Sequence, residues 1–191
     1  MRNPVRVARA LLGQRLVSTI GGERTAGRIV ETEAYLGSPD KAAHTYNHRR
    51  TPRVESMWQR GGTAYVYFTY GMHHCVNVVV GEAGRPMAVL IRALEPTEGL
   101  DVMYTRRARA GRDRDLCSGP AKLCEAMGID LRQDGGDLTT PGPLMLEQLR
   151  RRAVASDRIV TTTRVGVDYA EEWADQPLRF YLAGDRFISR A

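Results

Sequence analysis

Two short segments concentrate the side chains able to do chemistry. The first, Gly27-Arg-Ile-Val-Glu-Thr-Glu-Ala-Tyr35, reads as a β-strand. Successive side chains in a strand alternate faces, so Ile29, Glu31, Glu33 and Tyr35 share one side while Val30, Thr32 and Ala34 take the other. The second, Tyr65-Val-Tyr-Phe-Thr-Tyr70, sets Val66 and Phe68 apart as its apolar side. Tyr65, Tyr67 and Thr69 face the opposite way, and Tyr70 precedes Gly71 at the tip of a turn. An acidic strand face is ordinarily solvated, and tyrosine is common in strands. Three tyrosines in six residues beside two carboxylates and a phenol form a less ordinary combination.

Such a set suits a pocket for a flat ring. Aromatic walls stack on it, a carboxylate walled by them can sit at an attached sugar and serve in proton transfer, and a bulky side chain can fill the gap a base leaves in a stack. Alternation alone does not choose between Glu31 and Glu33. His44, in Lys41-Ala-Ala-His44, adds a hydrogen-bond donor. His73, His74 and Cys75 are consecutive, and together with Cys117 and Cys124 they lack metal-ligand spacing. No metal or cofactor is expected.

The 191 residues, 42% of them hydrophobic, suit one domain with its own core, and no linker or internal repeat divides the chain. The net charge of +6 makes a polyanion a plausible partner. Of the 28 basic residues all are Arg except Lys41 and Lys122, and Arg forks match phosphate oxygens. A coding sequence rich in G and C produces the same bias. The arginines cluster at 49–53, 106–114 and 150–152. No apolar run approaches the roughly 20 residues of a membrane span, and the patch at 8–12 is too short for a signal-peptide core. A cytoplasmic protein with no membrane partner is expected. Three cysteines cannot pair fully, so reduced thiols are the default.

Positioning these residues requires a sheet. Residues 3–12 read as a short helix, and 15–20, 27–35, 65–70, 75–80 and 87–92 read as strands in close succession. The connections Gly21-Gly22 and 81–86 are too short for crossover helices, which favours antiparallel pairing. A helix is expected from Pro96 to Arg109, and another opening at Ser118 as N-cap. Residues 130–157 read as mostly loop. Late strands at 158–166 and 177–183 with a short helix near 168–174 complete an α+β domain.

Several motifs together resemble the alkyladenine (3-methyladenine) DNA glycosylase family. They are Arg28-Ile-Val-Glu-Thr-Glu-Ala-Tyr-Leu-Gly37, Asp40-Lys-Ala-Ala-His44, Thr51-Pro-Arg53, Tyr65-Val-Tyr67, Tyr70-Gly-Met72, Asn77, Leu90-Ile-Arg-Ala-Leu-Glu-Pro96, Leu116-Cys-Ser-Gly-Pro-Ala-Lys-Leu-Cys124 and Arg164-Val-Gly-Val167. They run in order from about residue 8 to about residue 188. The resemblance implies a single mixed domain over 1–191 with flanking helices around a curved, mostly antiparallel sheet. It also implies a monomer that flips alkylated or deaminated purines from duplex DNA and hydrolyses the glycosidic bond.

By motif, Glu33 would activate the attacking water. Tyr35 and Tyr67 would sandwich the base, with His44 at its edge, and Tyr70 would fill the gap in the duplex. Asn77 would screen purines by steric contact, and Arg92 would support the pocket and contact the flipped nucleotide's phosphate. Arg53, Ser118 and Lys122 would sit by the DNA backbone. Two features depart from the family pattern. His73 and His74 stand where a vertebrate relative is expected to be more aromatic or apolar, and 107–115 is short and Arg-rich.

Overall fold

In a computed structural model, which describes residues 3–190, the chain is an α+β protein built on a curled antiparallel sheet. Helix α1 (Pro4–Leu11) starts where the Asn3 side chain accepts the Val5 N–H at 2.8 Å and Pro4 presets the first turn. Its buried Ala8 and Leu11 join the main core, and the Thr32 hydroxyl donates to the Ala8 carbonyl at 3.1 Å.

The strands are β1 (Arg15–Ser18), β2 (Thr25–Tyr35), β3 (Ala64–Thr69), β4 (His73–Val80) and β5 (Met87–Glu98), followed later by β6 (Leu144–Glu147), β7 (Ile159–Thr162) and β8 (Arg179–Leu182). They run in the order β3-β4-β5-β2-β1-β6. Strand β2 forks along its free edge, pairing with β1 through residues 25–28 and with β8 through residues 31–33. Helices α2 (Leu100–Arg106), α3 (Asp113–Cys117) and α4 (Pro120–Met127) pack with α1 on one face, around Val76, Val78, Val89 and Ile91. The opposite face carries Tyr65, Val79 and Ala88 against Val54 and Met57.

Strict alternation fails in β2. The register runs Ile29 to Leu94, Glu31 to Ala93 and Thr32 to Ile91, leaving Val30 and Arg92 without partners. These bulges return Ile29 to the helix-side core, with Ala34 and Leu94, instead of leaving it beside the glutamates.

The helix expected from Pro96 to Arg109 is present as α2 over Leu100–Arg106, but its start is not at Pro96, because Pro96–Glu98 continue strand β5. Because β2 extends back to Thr25, it offers β5 a partner as far as Glu98. Pro96 lies opposite Gly27, and Thr97, skipped by the register, donates its hydroxyl to the Ala26 carbonyl at 3.2 Å. A proline is tolerated at such an irregular point of a ladder. The chain turns at Gly99, whose φ of 70° suits glycine and where a Cβ would run into the Arg24 carbonyl. Only then does α2 begin.

Ser118 is not an N-cap. It closes α3, and Pro120 in the first turn of α4 moves the cap to Gly119. Residues 130–157 contain strand β6, which pairs residue by residue with β1 and is tied to it through Arg15 and to Arg24 by ion pairs on Glu147. Four residues are too few to show a period. The late helix is a 3-10 segment, Asp168–Trp173, kinked where Ala170 and Glu171 leave helical angles. No described helix is long and apolar enough to cross a membrane.

Candidate active site

The sheet face opposite the helices opens into a cavity of about 200 Å³. Tyr35 from β2, Tyr65 and Tyr67 from β3, Asn77 from β4 and Arg92 from β5 line it, with His44 entering from the loop after β2. The tyrosines, His44, Asn77 and Arg92 singled out from the sequence therefore meet at one place, and Tyr70 stands at its mouth.

Glu33 is fully buried directly behind the cavity wall. Its Oε1 accepts the Val165 N–H at 2.8 Å and lies 3.1 Å from an Arg92 nitrogen, and its Oε2 accepts the Tyr35 hydroxyl at 2.9 Å. Burial, followed by the Glu33 charge, pushes the Tyr35 pKa well above the ordinary phenol value, so the hydroxyl stays protonated and donates. Burial pulls Arg92 down, but the Glu33 and Glu31 charges more than offset it and keep the guanidinium charged. Because Arg92 is the bulged residue of β5, its side chain is aimed between the two carboxylates. Tertiary contacts also separate the two glutamates. Glu31 is consumed by Arg92, Arg179 and Ser189, whereas Glu33 touches members of the cavity wall.

His44 packs edge-on to Tyr67, with ring centroids 4.6 Å apart, and its Nδ1 lies 2.7 Å from the Tyr65 hydroxyl. Burial, then Arg53 and Arg49, lower its pKa from 6.5 to about 4. The ring is therefore neutral near pH 7, and if Tyr65 donates to Nδ1 then Nε2–H is the free donor. Between about 4 and 6.5 the unfolded chain binds more protons at this site than the folded one. The His44 contribution to stability is thus complete above 6.5 and is lost as pH falls toward 4. An NMR titration of the ring resonances should place its midpoint near 4; a midpoint near 6.5 would show that the site does not desolvate it.

Asn77 is buried and donates to the Tyr65 carbonyl at 3.1 Å. Tyr70 is 84% exposed. With Gly71 it forms the turn between β3 and β4, and its φ of 51° is an uncommon conformation for a bulky side chain. Phe68 and Met72 flank it, 41% and 71% exposed. Pro120 reaches the cavity rim, which brings the start of α4 there, with Ser118 half-buried and Lys122 exposed. Arg53 is exposed but engaged, donating to the Phe68 carbonyl at 3.0 Å with its guanidinium 5.7 Å from the Tyr67 ring centre.

Sequence reasoning assigned no role to the pair that holds the cavity's other side. Arg164 and Asp40 are fully buried and meet at 2.6 and 2.9 Å. Asp40 also accepts the Leu36 and Ala42 N–H groups, and Arg164 lies 4.8 Å from the centre of the Tyr35 ring. Both residues sit within the quoted motifs, yet 124 positions separate them and no spacing rule pairs them. Cys75, hydrogen-bonded to Tyr67 in the cavity wall, was likewise missed as a pocket residue. The three cysteines are buried and free, and among the described residues no three His, Cys, Asp or Glu side chains gather as a metal site.

The arrangement offers a cavity walled by aromatic rings, a carboxylate behind it and a projecting tyrosine beside its mouth. The family described as methylpurine-DNA glycosylase matches residues 1–186. A protein of Desulfitobacterium hafniense, provisionally named 3-methyladenine DNA glycosylase, is 47% identical over 195 residues, spanning 98% of this chain and 94% of its own length. The DNA-3-methyladenine glycosylases of Mus musculus and Homo sapiens are each 45% identical over 194 residues, or 97% of this chain, which spans 58% and 64% of their lengths. With a family match over nearly the whole chain and identities of 45–47%, the chain belongs to the methylpurine-DNA glycosylase family.

Proposed function

We propose that the chain acts as a monomeric, single-domain glycosylase. It flips an alkylated or deaminated purine out of duplex DNA into this cavity and hydrolyses the glycosidic bond with water activated by Glu33. Family membership makes it a DNA N-glycosylase of the 3-methyladenine type, a hydrolase acting in DNA repair. The observation that carries the finer reading is the placement of Glu33. It is buried behind an aromatic cavity, is oriented by Tyr35, Val165 and Arg92, and has a lone pair of Oε2 left for a water.

In this reading the water oxygen bonds to the sugar C1′, its proton passes to Glu33, and the bonding pair leaves with the base. The Glu33 charge also stabilises positive charge developing on the sugar. The base stacks against Tyr35 and Tyr67, His44 donates at its edge and Asn77 limits its outline. Arg92 supports the pocket from behind and approaches the flipped nucleotide's phosphate. The substrate class is 3-methyladenine, 7-methylguanine, hypoxanthine and ethenoadenine.

An amine nucleophile for strand cleavage has no support here. Lys41 is held as an ammonium by Glu171 and Glu172 at 2.7 and 2.9 Å, and neither it nor Lys122 lines the cavity. The reaction ends at base release.

The backbone of the duplex would rest on Ser118 and Lys122 at the start of α4 and on Arg53. Several other arginines have internal duties: Arg106 donates to the Ala126 and Ile20 carbonyls, and Arg107 to that of Leu116. The remaining surface charge supplies salt-sensitive attraction to phosphate, while lesion choice rests on the cavity.

A panel of duplexes, each with one lesion, tests the reading through free base and abasic sites. Release from none of them would overturn it. Tyr70→Ala should keep its fold, because the side chain is exposed, and should bind lesion duplex about tenfold or more weakly, since flipping costs a few kcal/mol of unstacking that the wedge offsets. Unchanged affinity in a gel-shift titration would remove the wedge from the reading.

A further inference from the structure

Glu31 is a second fully buried carboxylate, and base release as described leaves it without a role. It lies outside the cavity wall. Its Oε1 accepts from Arg92 at 3.0 Å, from Arg179 at 2.9 Å and from the Ser189 hydroxyl at 2.9 Å, while Oε2 accepts the Ser189 N–H at 2.6 Å. Arg92 spans both carboxylates, with a second nitrogen 3.1 Å from Glu33. Stability alone is a poor reason for such a cluster, because well-packed apolar residues commonly replace a buried ion network without loss.

We propose that Glu31 is a positioning residue for base release: it anchors Arg92 and takes a share of its charge, so that Arg92 orients Glu33 without neutralising it. The proposal rests on the reading of Glu33 as the water-activating group. A guanidinium paired wholly with one carboxylate stabilises the anion and makes it a weaker base. Sharing limits that effect, and Ser189, delivered by the last residues of the chain, sets how strongly Glu31 competes for Arg92.

The charged and titratable groups around the pair come from several elements. Glu33 faces Tyr35 on its own strand, Arg92 on β5, Arg179 across the β8 register and Arg164 beside the Val165 amide. Tyr67 on β3 and Cys75 on β4 feel its charge. Glu31 faces Arg92, Arg179, Ser189 and, across the β8 register, Tyr181.

The test is single-turnover base release as a function of pH, with lesion-duplex affinity measured in parallel, for wild type, Glu31→Gln, Ser189→Ala and Glu33→Gln. In Glu31→Gln, Arg92 pairs wholly with Glu33. The plateau rate should fall about tenfold and the acid-side half-maximal pH should fall by about 1 unit, with affinity unchanged. The Ser189 hydroxyl donates to Glu31 at 2.9 Å and accepts from Arg92 at 3.3 Å, so Ser189→Ala removes the competing partner of both and lets Glu31 hold Arg92 more closely; its acid limb should move the opposite way, by roughly 0.3 units. An unmoved acid limb in Glu31→Gln overturns the proposal, because a merely structural role would lower the rate without shifting it. If Glu31→Gln does not fold, an acid limb in Ser189→Ala that is unmoved or shifted downward overturns it. Full activity in Glu33→Gln would instead remove the reading on which the proposal stands.

Discussion

Replacing Glu33 by glutamine is expected to leave lesion duplex bound and to slow base release by about 10²–10⁴-fold, the range spanned by a positioned general base. The amide fits the site. Its oxygen can still accept the Val165 N–H, which lies 2.8 Å from the carboxylate, and its nitrogen can face the Tyr35 oxygen. Arg92 is not orphaned, because Glu31 remains 3.0 Å from its Nε. The fold should therefore persist, and the loss should appear in the chemical step, as about 3–5 kcal/mol of barrier. Single-turnover release from a duplex with one lesion, beside an equilibrium binding curve, separates the two quantities. Wild-type release by the glutamine variant would exclude Glu33 as the base. Lost binding together with lost folding would instead mark it as structural.

Arg164→Met is expected to be the most destabilising of the substitutions considered. The guanidinium and Asp40 are both fully buried, so removing one partner strands the other's charge, at a cost of about 3–5 kcal/mol. For a chain of this size each kcal/mol lowers Tm by about 2–4 °C, so a drop of roughly 6–20 °C should be visible by calorimetry or circular dichroism. The double variant Asp40→Asn with Arg164→Met should lose less than the sum of the single variants, because no isolated charge remains. A loss below about 1 kcal/mol in Arg164→Met would show that water reaches the pair. Activity should suffer as well. Arg164 lies against Tyr35, directly precedes the Val165 amide that holds Glu33, and through Asp40 orders the loop leading to His44.

The contrast between these two sites shows what one chain of letters reveals. Tyr65, Tyr67 and Thr69 line the cavity as period-2 alternation requires, because β3 pairs with β4 without a slip. In β2 the same rule placed Ile29 with the glutamates, and two register shifts undo that. A bulge depends on how the partner strand closes, and that partner lies some 60 residues along the chain. Pro96 is a similar case: its helix-starting tendency is local, and the ladder with β2 outweighs it.

The sequence by itself determined the tyrosines, the glutamates and His44 gathered around the cavity, the antiparallel neighbours joined by short turns, and the near absence of amines. Each depends on residue type or on spacing within a few positions. The tertiary structure decided which glutamate lies behind the cavity, where Arg92 points, and that Asp40 and Arg164 meet. Those outcomes depend on buried charges finding partners from distant segments, because an unpaired charge in a dry interior is too costly to persist. That requirement acts only once the chain has closed on itself.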